Sequence, residues 1–189
     1  MKNGFIISLF LFGLMACNGK SEKAVSEKQV TTETERIERG AYLVNAIGCA
    51  DCHSPKIMTA MGPSVDPNTS FGGHIEGDLS GKVSKDALAN WVLFNMSLTA
   101  AVGPWGISYA ANISSDESGI GNWTEEQFFR AMREGQYKGL VNSRKLLPPM
   151  PWENYKQISD EDMRAIFAYL KSTKPVRNIV PQPVTPENL

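Results

Sequence analysis

Cys49, Cys52 and His53 all fall within the pentapeptide CADCH. Two of the three cysteines and one of the two histidines of a 189-residue chain therefore occupy five consecutive positions. Thiols and imidazoles are nucleophiles and metal ligands, and their spacing separates the chemistries open to them. C-x-x-C-H is the attachment pattern of c-type haem: the two thiols match the two vinyl groups, and the adjacent imidazole is placed to ligate the iron. A thioredoxin-like redox pair would need its C-x-x-C beside a βαβ unit, and the sequence shows no strand alternation. A structural zinc site needs four ligands. Apart from Cys17, treated below, His74 is the only cysteine or histidine left to add. A disulfide across two residues has little to stabilise. The pentapeptide thus points to one covalent haem, held by Cys49 and Cys52, with His53 as proximal ligand.

The sixth iron position separates electron transfer from chemistry, because an iron with two protein ligands has no free site for a substrate. The sulfur donors are Met58, Met61, Met96, Met132, Met150 and Met163. Met58 and Met61 follow the attachment site too closely to cross to the other haem face. Met132 and Met163 sit among apolar helix positions and read as core. Met150 lies between Pro149 and Pro151 in LLPPMPWENY, a stiff loop whose restricted φ angles would hold a thioether in place. His74 is its main rival as sixth ligand, and Met96, at the end of an expected helix, follows.

Four helices are expected to position these residues. Ile37, Ala41 and Val44 recur at helical spacing between a Thr34 cap and the stop at Gly48, predicting a helix over 35–47 that delivers Cys49. Ser84 caps KDALANWVLFN, in which Leu88, Trp91 and Val92 share a face. Thr124 and Gln127 have capping-box spacing at the start of a helix ended by Gly135. Ser159 opens the last helix, with Met163, Ile166, Phe167 and Leu170 on one face and lysines before Pro175. The intervening stretches 55–83, 97–123 and 136–157 are rich in Gly and Pro and lack period-two alternation, so no sheet is expected. Loops of this length need a reason. They contain Trp105, Trp123 and Trp152, and a large apolar macrocycle would give them something to wrap. The expected architecture is all-α: one domain over 36–173, followed by an extended Pro-rich tail at 174–189.

The N-terminus, MKNGFIISLFLFGLMAC, has the layout of an export signal. Lys2 supplies the charged flank, and the apolar run Phe5 to Ala16 is too short to span a bilayer. Its end, LMAC, resembles a bacterial lipobox, which would make 1–16 a signal peptide and Cys17 the lipidated first residue. Residues 17–35 lack aromatics and read as a flexible tether. The expected location is the bacterial cell envelope, facing the periplasm and lipid-anchored to a membrane. The formal net charge of −1, without a Lys/Arg cluster, gives no footprint for nucleic acid.

RGAYLVNAIGCADCHSP, GPWGISYAANISSDESGIGNWTEEQFFRAMREG, LLPPMPWENY and SDEDMRAIFAYLKS follow one another within about residues 36 to 181. Together they resemble the single-haem class I cytochrome c domains of bacterial lipoproteins and of proteins beside membrane-associated dehydrogenases. The resemblance implies an all-α class I cytochrome c fold of four to five helices, with His53 below the iron and Met150 above it. It implies that the first and last helices cross near Gly40 and Tyr169 or Leu170. It also implies that the Gly62–Pro63 carbonyl accepts the other N–H of His53, and that His74 in FGGHIEG belongs to a turn. The implied function is a single-electron carrier between redox proteins, such as a dehydrogenase, an oxidase or another cytochrome, with no substrate chemistry of its own. The alternatives are a haem-bearing subunit of a dehydrogenase complex, or a haem enzyme or sensor with an open iron. No Gly-rich nucleotide fingerprint supports a catalytic dehydrogenase.

Overall fold

The computed structural model describes residues 32–77 and 83–189. The expected signal peptide, Cys17 and all but the end of the tether lie outside the described residues. Six α-helices appear among those described: α1 (Glu33–Ala46), α2 (Cys49–His53), α3 (Lys85–Leu88), α4 (Glu125–Glu134), α5 (Trp152–Tyr155) and α6 (Asp160–Ser172). The first begins slightly earlier than expected because Thr32, not Thr34, is its cap. The Thr32 hydroxyl accepts from the Glu35 N–H at 3.2 Å, and the Glu35 carboxylate accepts from the Thr32 N–H at 2.8 Å. The same reciprocal box, between Thr124 and Gln127, starts α4, and Gly135 ends it in the left-handed conformation with φ 64°.

α1 and α6 cross at Gly40. A Cβ there would lie 1.9 Å from the Ala165 carbonyl oxygen and 2.7 Å from Tyr169 Cβ, so only glycine lets the two backbones approach this closely. Beside the crossing, Arg39 grips Asp162 with Nε–Oδ1 at 2.8 Å and a second bond at 3.2 Å. Val44 of α1, Phe128 and Met132 of α4, and Met163, Ile166 and Leu170 of α6 form the core, joined by Phe71 and Ile120 from the long loops.

The fold is not all-α. Two small antiparallel sheets occupy stretches expected to be irregular: β1 (Lys56–Thr59) pairs with β2 (Gly62–Val65), and β3 (Leu93–Phe94), β4 (Ala100–Gly103) and β5 (Gly106–Tyr109) form a second sheet in that order. Alternation marks a strand only when one face is buried and the other wet. Neither sheet meets that condition along its length. β1 is exposed from Ile57 to Thr59, whereas β4, with the sequence AAVG, is buried at every position. The helix expected over KDALANWVLFN stops after Leu88. Leu93 and Phe94 instead pair with Val102 and Ala101. Trp91 is 69% exposed, so the apolar face that would have justified a longer helix has no element to pack against.

The C-terminal tail is built into the same body. Ile107 N–H donates to Val184 O at 2.8 Å and Val184 N–H returns to Ile107 O at 3.0 Å. Asn178 Nδ2 donates to Gly72 O and His74 O, both at 2.8 Å. Among the described residues, no helix is long and apolar enough to cross a membrane.

Candidate functional site

Gly48, with φ 72°, turns the chain directly from α1 into α2. A Cβ at Gly48 would meet the Asp51 carboxylate at 2.7 Å. One helical turn then places Cys49 and Cys52 on the same face. Both are free thiols. Burial pushes the Cys49 thiol up to about 11, and burial followed by the Asp51 charge raises Cys52. Activated redox cysteines have depressed values, and both shifts here run the other way.

His53 Nδ1 lies 2.7 Å from the Ala111 carbonyl oxygen. A carbonyl can only accept, so Nδ1 carries the hydrogen and the Nε2 lone pair is left for a metal. Burial lowers the imidazole pKa, which favours the neutral ring a ligand must be. The acceptor expected from the family resemblance was the Gly62–Pro63 carbonyl. Those residues instead belong to the β1–β2 hairpin, paired with Thr59 and Met58.

Ala111 can do this because its loop is fixed from three directions. Gly73, at φ 75°, comes so close that a Cβ would lie 2.6 Å from Ala110 O, Ala111 C and Asn112 N. His74 N–H donates to Ala110 O at 2.9 Å, and Ile113 N–H to Phe71 O at 2.8 Å. The buried Asn112 side chain reaches Val176 O at 2.7 Å and Asn178 O at 3.2 Å, and accepts from Ser114 N–H at 3.0 Å. Reading the sequence for reactive side chains passes over Ala111, because its role is carried by the backbone. The only signals are the amide of Asn112 inside the apolar run AANI and the pair Gly72–Gly73.

Cys49, Cys52, His53 and Met150 all line one cavity of about 290 Å³. Its remaining wall comes from the helical core, from β4 and β5, and from tail residues 179–183. Met132 also reaches it, from α4. His74 does not line it: this ring is 1% exposed, stacks on Tyr109 at 4.7 Å and places Nδ1 2.9 Å from Thr99 Oγ1. Nor does Met96, which is 79% exposed, and Met163 is fully buried in the core. Of the tryptophans, Trp123 lines the cavity. Trp105 covers Gly103 at the β4–β5 turn, and Trp152 packs on Gly135.

The Met150 loop is tied at several points. Leu146 N–H donates to Gly135 O at 2.7 Å, at the end of α4, and Met150 N–H to Leu147 O at 3.3 Å. Ser108 of β5 donates its hydroxyl to Pro148 O at 2.6 Å. Lys138 and Arg144 stand on the cavity lining, the Arg144 guanidinium 3.9 Å over the Tyr137 ring.

This lining fits a haem. Two thiols, a neutral histidine with a free Nε2 and a thioether share a largely apolar cavity, and two cationic side chains suit carboxylates. Among the described residues no group of three or more His, Cys, Asp or Glu is arranged to hold a bare metal ion. Among the described residues, no fully buried side-chain nitrogen or oxygen lacks a hydrogen-bond partner.

Comparison with known proteins points the same way. The fructose dehydrogenase cytochrome subunit of Gluconobacter japonicus is 30% identical over 142 residues, covering 74% of this chain and 22% of that protein. The gluconate 2-dehydrogenase cytochrome c subunit of Pantoea cypripedii is 32% identical over 134 residues, covering 70% of this chain and 22% of its relative. The cytochrome c subunit of the quinone-dependent alcohol dehydrogenase of Gluconobacter oxydans is 40% identical over 75 residues, covering 39% of this chain and 15% of that protein. The chain thus spans about a fifth of the length of these curated relatives, or less. No family model matches it. Over these stretches it is similar to cytochrome c subunits of dehydrogenases.

Proposed function

We propose that this chain carries one haem c and works as a single-electron carrier for a dehydrogenase of the cell envelope. The observation that carries the reading is the His53 site: a neutral imidazole, its Nδ1–H fixed on Ala111 O, sharing one cavity with Cys49, Cys52 and Met150. When bound, the haem supplies reversible one-electron exchange at its iron. Cys49 and Cys52 would hold the macrocycle through thioether bonds, His53 Nε2 and Met150 Sδ would ligate its iron, and Lys138 and Arg144 would hold its carboxylates. An iron with two protein ligands would have no site for a substrate and would serve electron transfer. A dehydrogenase is favoured as the donor because the relatives are dehydrogenase subunits. A two-chain lipid anchor at Cys17 would keep the carrier beside a membrane-bound partner, since paired acyl chains suffice for stable anchoring where one is marginal.

The decisive experiment is on the mature protein. Haem colour should survive acid–acetone extraction and migrate with the polypeptide on a denaturing gel. Met150→Ala should abolish the weak sulfur-to-iron band of the oxidised spectrum, and Met132→Leu should leave it. If the band instead vanishes only in the Met132 variant, the sixth ligand is Met132. For the anchor, Cys17→Ser should release a coloured, folded domain with an unchanged spectrum. Retention on membranes in high salt would mean that the anchor is not at Cys17.

A further inference from the structure

Lys56 follows the attachment motif by three residues, yet its side chain turns back onto it. Nζ donates to Ser54 O at 2.6 Å, Asp51 O at 2.8 Å and Ala50 O at 3.2 Å, and lies 3.5 Å from Ser97 O. Three of these carbonyls belong to α2 or its C-terminal exit, where the backbone dipoles present negative ends. The fourth sits beside Leu98 and Thr99, which line the cavity. One ammonium therefore ties the haem-attaching turn to the opposite loop. Among the described residues Lys56 takes part in no ion pair; burial lowers its pKa, and the Asp51 charge, beyond ion-pair distance, raises it.

We propose that Lys56 is a positioning residue whose fixed charge, clamped against α2, biases the haem toward its reduced state. The inference rests on the haem reading above. Oxidation adds a positive charge at the iron, and a cation held in a partly buried place opposes it. Lys56 does not line the cavity, and its hydrogen bonds go to backbone carbonyls. Its effect on the reduction equilibrium is electrostatic and acts through space.

The test is an anaerobic redox titration of the intact holoprotein and its variants at low salt and at about 0.5 M salt. Haem stain on a denaturing gel is run first on the wild type, and absence of covalent haem there overturns the parent reading and this inference with it. With haem present, Lys56→Met should move the reduction equilibrium about tenfold toward the oxidised form, or about 59 mV lower for a one-electron couple. Lys56→Arg should stay within about twofold of wild type. The shift should persist at high salt, because a partly buried charge is weakly screened. A Lys56→Met potential within about twofold of wild type overturns the inference, as does an equal shift in Lys56→Met and Lys56→Arg, which would show geometry at work and not charge. If Lys56→Met does not mature, Lys56→Gln, which keeps a donor but no charge, takes its place with the same expected shift. Failure of both neutral variants to hold haem makes Lys56 a folding residue and likewise overturns the inference.

Discussion

The two sides of the cavity are held by different means. On the His53 side, orientation comes from hydrogen bonds that converge from distant parts of the chain. Ala111 O meets Nδ1, Gly73 N–H donates to His53 O at 2.9 Å, and Phe71 N–H donates to the buried Ser54 hydroxyl at 2.9 Å. On the Met150 side, the backbone is restrained by three prolines and by packing, with Ser108 supplying a hydrogen bond to Pro148 O. The difference suits the ligand roles proposed for the two residues. An imidazole must present one nitrogen in one tautomer, which demands a directional partner. A thioether has no proton to place and needs only to be kept near, which stiff local chain can do.

This contrast predicts unequal responses to damage. Gly73→Ala should have the largest effect, because the residue has φ 75° and its Cβ would strike the Ala110–Asn112 backbone at 2.6 Å. A loss of about 3 kcal/mol or more is expected from strain and displaced hydrogen bonds together. Denaturant unfolding should report that loss, and the surviving holoprotein should show disturbed histidine ligation with the sulfur-to-iron band affected only secondarily. A variant with native stability would show that the His53 side tolerates movement of its acceptor.

Ser108→Ala should act more weakly and on the other side. Losing the bond to Pro148 O is expected to cost about 1 kcal/mol. Its signature should be easier displacement of Met150 by cyanide or imidazole, with His53 ligation unchanged. Equal disturbance of both ligands would mean that the two sides are mechanically coupled.

Asp162→Asn should have the smallest effect and spare both sides. The hydrogen bond from Arg39 is the main cause holding the Asp162 carboxyl below its usual range. A depressed carboxylate stabilises the folded state fully above its unfolded pKa, about 3.9, and the contribution disappears as pH falls through the lower folded value. The pair is largely solvent-facing, so the difference from wild type should be at most about 1 kcal/mol at neutral pH and close to zero near pH 2. The visible spectrum should not change.

The sequence by itself determined the parts whose causes are local. CADCH carries its own chemistry in its spacing. The box at Thr124 and Gln127 and the cap at Ser159 announce helices because caps act within one turn, and the resemblance foresaw the close crossing at Gly40. Proline flanks mark the Met150 loop for the same local reason, and that loop does line the cavity. What only the tertiary structure decided are contacts between segments far apart in the chain. The sheets could not be read because β1 is wet and β4 is buried along their lengths, so neither alternates. The tail joined the cavity wall through backbone pairing at Val184 and through the amides of Asn112 and Asn178, which reach across the chain and leave no local pattern. The partner of His53 is a carbonyl 58 residues away on an alanine. A backbone acceptor is present at every residue, so sequence cannot mark which one a ring will find, and only the packing of Gly73 and Asn112 around Ala111 selects it.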